Sequence, residues 1–239
     1  MIYLFTDFSS QDFYVGQLHS AVLHRNPDAR LVDLFHHADP RDIEAAARLL
    51  ARLSEYTASD AIIVAVVDPG VGGSRRPLMI KADGRWLVGP DNGLFSFIVR
   101  QAESVDSREI NWRPANMSVT FHGRDLFAPV GAMLERGEMP DSTPCEVVMP
   151  DWPKESGRII YRDHYGNLMT GLTERSVDEN TVLAANSQPI RHAERFGAVN
   201  AGDVFWMINS IGLVEIAANQ ADASACLGVS VGDEILFQA

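Results

Sequence analysis

Side chains able to do acid–base work gather in four clusters along the first part of the chain. They are Thr6-Asp7 with Asp12, the loop Asp68-Pro69-Gly70-Val71-Gly72-Gly73-Ser74-Arg75-Arg76, the turn Pro90-Asp91-Asn92-Gly93, and Thr120-Phe121-His122-Gly123-Arg124-Asp125. Each ends or follows a short apolar run. Taken singly they read as ordinary structure: an Asp after a strand forms a turn or caps a helix, Arg124 with Asp125 is a local ion pair, and His122 is a hydrogen-bonded, half-buried imidazole. Together they read differently. A carboxylate at Asp68, a guanidinium at Arg75 and an imidazole at His122, carried to one sheet edge by separate loops, are the group types that orient and deprotonate a water molecule.

Other chemistries lack their spacing. The Gly70–Arg76 loop is rich in glycine and arginine, as phosphate cradles are, yet it matches neither GxxxxGK[ST] nor GxGxxG. The histidines form no HExxH pattern, and Cys145 and Cys226 stand far apart at no metal-ligand spacing, so neither a metal nor a disulfide framework is expected. In the last third, Asp163-His164-Tyr165-Gly166-Asn167 and Asn209-Ser210 read as hairpin turns. Phe196 and Trp206 read as core or interface residues, and His36 and His37 as structural.

The elements that must carry these loops follow from periodicity. Apolar runs at Ile2–Phe5, Leu31–Leu34 and Ala61–Val67 predict buried strands. Between them, Val15, Leu18, Val22 and Leu23, then Ile43, Ala46, Ala47 and Leu50, form stripes at helical spacing. Further strands are expected at Leu78–Lys81 and Trp86–Val88, with helices near Leu94–Arg100 and Asp125–Glu135. This is an α/β pattern with a mostly parallel sheet, whose ligand-binding loops leave the carboxyl ends of the strands. Residues 1–140 form the expected α/β catalytic domain. The Pro-rich, aperiodic stretch 141–156 is the expected linker, and the short strand-like runs of 157–239 predict an all-β domain.

Composition narrows the partners. With 46% hydrophobic and 22% charged residues the chain is an ordinary globular sequence. A formal net charge of −12 repels phosphate backbones and anionic lipid, so neither nucleic acid nor a membrane is an expected partner. The N-terminal run lacks the basic flank and cleavage site of a signal peptide, and the expected location is the cytoplasm.

The segments Thr6-Asp7-Phe8, Val67-Asp68-Pro69-Gly70-Val71-Gly72, Arg75-Arg76, Gly89-Pro90-Asp91-Asn92-Gly93, Thr120-Phe121-His122-Gly123-Arg124-Asp125 and Asn209-Ser210, in this order, resemble one family. It is the S-adenosyl-L-methionine (SAM) hydrolases (adenosine-forming), also called SAM hydroxide adenosyltransferases. The resemblance runs the length of the chain. It implies an N-terminal Rossmann-like domain, a C-terminal β-barrel, no cofactor, and a homotrimer with active sites between subunits. It further implies that Asp68, Arg75 and His122 surround the attacking water. Asp7 would bind the ribose hydroxyls, Asp12 and Asp163 the methionine ammonium, and Ser210 its amino-acid end. Asn167 and Phe196 would hold and stack adenine, with Phe121 also among the substrate-binding residues.

Halogenating relatives, which use chloride or fluoride in place of water, carry Tyr where Asp68 stands and lack the imidazole of His122. A fixed carboxylate would repel a halide, so hydrolysis is the expected activity; a 5′-halogenase and a non-catalytic adenosine or SAM sensor are the alternatives. This chain departs from the pattern at Ser9, where a glycine is common, and at Arg41, where the halogenating relatives have Trp. It departs also at Ile211, where they have an Arg that would pair with the methionine carboxylate.

Overall fold

Short runs of branched and aromatic residues form the first three strands; two of them are buried, but the strand at Leu31–Phe35, expected to be buried, lies at the sheet edge, half-buried with Asp33 exposed. In the computed structural model, which describes residues 1–238, these are β1 (Ile2–Thr6), β2 (Leu31–Phe35) and β3 (Ile62–Val66), the last with every residue buried. The chain divides into two units, Met1–Asp151 and Trp152–Ala239.

In the first unit, β4 (Pro77–Ala82), β5 (Arg85–Pro90), β6 (Val105–Ile110) and β7 (Ser142–Pro144) extend the sheet to seven strands in the order β2-β1-β3-β5-β4-β6-β7. The expectation of a mostly parallel sheet is corrected here. The pairs β1–β2, β1–β3 and β3–β5 are parallel, but β4–β5, β4–β6 and β6–β7 are antiparallel, so the sheet is mixed. The reason lies at Asp83-Gly84, both at positive φ (46° and 94°). This two-residue turn joins β4 to β5 as a hairpin, and a hairpin reverses the chain.

Helices α1 (Tyr14–Arg25) and α4 (Ala128–Glu135) pack together, and Leu18, Val22, Leu126, Phe127 and Val130 share a core with Ile2, Leu4, Ile62 and Val64. Helix α2 (Ile43–Ser54) is capped by Asp42, whose carboxylate accepts the Ala45 N–H at 3.0 Å; it packs on α3 (Ser96–Gln101), where Arg48 lies over Phe97. The helix expected at Asp125 begins instead as a π-helix over Gly123–Phe127 before becoming α4. Such insertions of one extra residue per turn recur at functional sites.

The second unit holds β8 (Ser156–Arg162), β9 (Leu168–Thr173), β10 (Leu183–Ala185), β11 (Gln188–His192), β12 (Val204–Ile208), β13 (Leu213–Ala218), a short helix α5 (Ala223–Leu227) and β14 (Leu236–Phe237). The seven strands run β14-β10-β11-β12-β13-β9-β8, and only β11–β12 is parallel. The two ends of this sheet approach each other. Arg158 bridges Glu234, and the Ile235 N–H donates to Gly157 O at 2.9 Å, so the sheet is nearly barrel-shaped around Trp206, Ile216, Leu168 and Ile235. Among the described residues no helix is long and apolar enough to cross a membrane.

Candidate active site

Asp68 stands two residues past β3, its side chain only 4% exposed. A buried carboxylate needs a partner, and Arg75 supplies it across the glycine loop. Its Nε lies 3.1 and 2.9 Å from the two carboxylate oxygens, and its Nη2 also contacts Oδ2. The same Nη2 lies 2.7 Å from His122 Nδ1. A guanidinium only donates, so Nδ1 must accept, which puts the ring proton on Nε2. Burial, then the Arg75 charge, push the His122 pKa below its ordinary value, with Asp68 opposing. The structure thus joins all three residues in one chain, carboxylate to guanidinium to neutral imidazole.

Two backbone features bring the loops together. Gly72, at φ +77°, would place a Cβ 2.7 Å from the Val119 carbonyl, so only glycine lets the Asp68–Arg76 loop lie against the segment leading to His122. Gly123 lies where a Cβ would press on the Phe8 ring at 3.2 Å. The Pro90–Gly93 turn braces the exit of β3: Asn92 Nδ2 donates to Val67 O at 2.9 Å, and Asp91, itself buried, receives Arg76 Nε at 2.9 Å and the Val148 N–H at 2.8 Å. These motif residues support the site without entering it.

Asp7, Asp12 and Phe121 line one cleft of about 660 Å³ together with Phe8, Phe13, Tyr14 and Arg124. Phe8, Tyr14 and Phe121 form an aromatic cluster with ring centroids 5.5 to 5.8 Å apart. Arg124 is held by Asp125 at 2.6 and 2.9 Å and by Gln17 at 2.8 Å. Burial above all, reinforced by the charges of Asp68 and Asp39, raises the Asp7 pKa to about 6.

The other four expected residues belong to the second unit. Asp163 and Asn167 lie in the β8–β9 hairpin. Asp163 Oδ1 accepts the N–H groups of Tyr165 and Asn167, each at 2.9 Å, and Oδ2 accepts Asn167 Nδ2 at 3.0 Å. The hairpin reading of this segment is thereby met, and the carboxylate is its hub. Ser210 lies in the β12–β13 turn, where Asn209 Oδ1 accepts the Ile211 and Leu213 N–H groups at 3.1 and 3.0 Å. Phe196 packs edge-on against Phe205, ring centroids 5.4 Å apart.

Sequence reasoning passed over Glu215. It lies buried in β13, accepts Asn209 Nδ2 at 3.1 Å, and has its pKa raised by burial and then by Asp163. Its signal was an acid inside the otherwise apolar run Leu213–Ala218.

The chain is similar to known proteins along nearly its whole length. An (R)-S-adenosyl-L-methionine hydrolase from Salinispora arenicola is 34% identical over 249 residues, covering 96% of this chain and 94% of that protein. A fluorinase from Actinopolyspora mzabensis is more distant, at 21% identity over 92% of this chain and 91% of its own. The crystal structure of an uncharacterized conserved protein from Thermotoga maritima superposes with a TM-score of 0.91 at 30% identity, covering all of both chains. Residues 2–143 match the model of the SAM hydroxide adenosyltransferase N-terminal domain and residues 157–236 that of its C-terminal domain. The chain belongs to the SAM hydroxide adenosyltransferase family.

Proposed function

We propose that this protein hydrolyses S-adenosyl-L-methionine to adenosine and L-methionine. The observation that carries the reading is the Arg75 guanidinium joined at once to Asp68 and to His122 Nδ1. A sulfonium leaves readily as a neutral thioether, so the reaction lacks only an aligned nucleophile. With its proton on Nε2, His122 donates to the oxygen of a water and holds it opposite sulfur. The water oxygen bonds to the ribose 5′ carbon, the C5′–S pair goes to sulfur, and the surplus proton passes to Asp68 or onward to solvent. Arg75 stabilises the hydroxide character that develops.

In the same reading Asp7 accepts from the ribose hydroxyls, Asp12 and Asp163 hold the methionine ammonium, and Ser210 its amino-acid end. Phe196 stacks adenine. Because Asn167 Nδ2 already serves Asp163, Asn167 meets adenine through its carbonyl oxygen, which accepts from the exocyclic amine. Phe121 walls the cleft.

The first domain is read as a Rossmann-like catalytic domain (residues 1–140) and the second as a β-barrel domain (157–239), joined by the linker 141–156. The protein acts in the cytoplasm, without added cofactor, as a homotrimer whose sites form between subunits. The relative from Salinispora and the family supply the substrate to this reading.

A 5′-halogenase is disfavoured by the fixed carboxylate at Asp68 and by the greater distance of the fluorinase. Purified protein incubated with SAM should release adenosine and methionine over many turnovers, unchanged by chloride or fluoride. Only 5′-haloadenosine would move the assignment to a halogenase, and product stopping at one per chain would indicate a sensor.

A further inference from the structure

We infer that His36 is a positioning residue for the nucleoside part of the site, an inference that rests on the reading of Asp7 as the ribose-binding carboxylate. Strands β1 and β2 are parallel neighbours with Phe5 opposite Phe35, so Thr6, the last residue of β1, and His36, just past β2, stand side by side. Both are buried, Thr6 completely and His36 to all but 5%.

Thr6 Oγ1 lies 2.8 Å from His36 Nδ1 and accepts the Phe8 N–H at 3.1 Å. His36 Nε2 lies 3.1 Å from Asp33 Oδ1, outside the directions of a hydrogen bond. A ring proton on Nε2, toward the carboxylate, leaves Nδ1 to accept the threonine hydroxyl. The hydroxyl then links the imidazole to the peptide that follows Asp7.

The main chain is tied at the same point. The Ser9 N–H donates to His36 O at 2.7 Å and the Ala38 N–H to Thr6 O at 3.3 Å. Ser9 has φ +61°, a conformation a non-glycine residue keeps only when its surroundings hold it. His36 therefore clamps the Thr6–Ser9 turn twice, through its ring and through its carbonyl. That turn presents Asp7 and Phe8 to the cleft. A histidine expected to be merely structural thus sets where the ribose carboxylate stands.

The test compares wild-type protein with Thr6→Val, His36→Leu and His36→Asn. It measures kcat and KM for SAM, and calorimetric affinity for adenosine and for 2′,3′-dideoxyadenosine. Losing one buried hydrogen bond in His36→Leu, and two in Thr6→Val, should weaken adenosine binding by about tenfold or more. Dideoxyadenosine, which lacks the hydroxyls Asp7 receives, should change less than about twofold, and KM should rise more than kcat falls. His36→Asn, whose amide oxygen can accept in place of Nδ1, should recover most of the loss. Unchanged adenosine affinity in the near-isosteric Thr6→Val overturns the inference, as does an equal loss for both nucleosides. Wild-type protein that turns over SAM yet binds the two nucleosides equally removes the ribose role of Asp7, and this inference with it. Absence of SAM turnover with a retained preference for adenosine strikes the hydrolase reading alone and leaves the clamp supported.

Discussion

In the proposed site, Asp7 serves recognition in the ionised form that costs the fold stability. Its pKa of about 6, against an ordinary 3.8, comes first from burial and then from neighbouring carboxylates. An acid whose folded value exceeds its unfolded one costs stability when ionised; the fold gains as pH falls through about 6, and the gain is complete below 3.8. Asp7→Asn, which cannot ionise, should therefore stabilise the unliganded protein by about 1–2 kcal/mol at pH 8, after discounting for solvent screening. The difference should vanish below about pH 4 in urea titrations read by circular dichroism. The same substitution should raise KM for SAM, because an amide accepts less strongly from ribose hydroxyls. In the wild type, KM should climb as pH drops through about 6, the value of Asp7. Asp68→Asn should act on the other parameter, lowering kcat by about 10²–10⁴-fold while adenosine affinity persists. His122, held neutral by burial and Arg75, should lose activity when protonated, since an imidazolium cannot accept from Arg75. Thus kcat should fall on the acid side of its ordinary pKa rather than at it.

At the scale of elements, the approach of the glycine loop to the Val119 segment decides whether those residues meet. Gly72→Ala places a methyl 2.7 Å from the Val119 carbonyl at a left-handed φ. It should cost about 1–3 kcal/mol, measured by thermal unfolding, and lower kcat by parting His122 from Arg75. A variant as stable and active as wild type would show that the loops tolerate separation. The strands most legible in sequence, β1 and β3, are apolar runs whose near-complete burial leaves an unmistakable pattern. Strand β6, Val-Asp-Ser-Arg-Glu-Ile, escaped because its four middle residues are polar and only Ile110 is buried. The sheet's change of direction was written in Asp83-Gly84, a hairpin signal outweighed by the strand-helix alternation before it. The candidate site residues drew notice as polar clusters, Asp68 just past β3 and His122, contrary to the expected strand end, just before the π-helix. Thr6 with His36, or Asn209 with Glu215, did not, because strand pairing or a turn's exact geometry makes them neighbours, and no local residue pattern records either.

For the molecule as a whole, the proposed trimer gives the exposed aromatics a reason. Phe13 is 66% exposed in the first unit and Tyr165 75% in the second, each beside residues assigned to substrate. Covering these rings with a neighbouring copy would remove apolar surface from water. If each site takes Asp68 from one copy and Asp163 from the next around a cyclic ring, two defective proteins should repair one another. Asp68→Ala removes the first contribution. Asp163→Asn removes the charge of the second while keeping an oxygen to accept the hairpin N–H groups. Each variant alone should be nearly inactive at low SAM. Equal co-expression gives an intact site wherever an Asp163→Asn copy offers its first domain to the second domain of an Asp68→Ala copy. Random assembly does this at about a quarter of sites. Activity should therefore recover to about a quarter of wild type in the mixed oligomer, with light scattering reporting three chains. No recovery from a mixed trimer would mean that every site is completed within a single chain, and the exposed aromatics would need another partner.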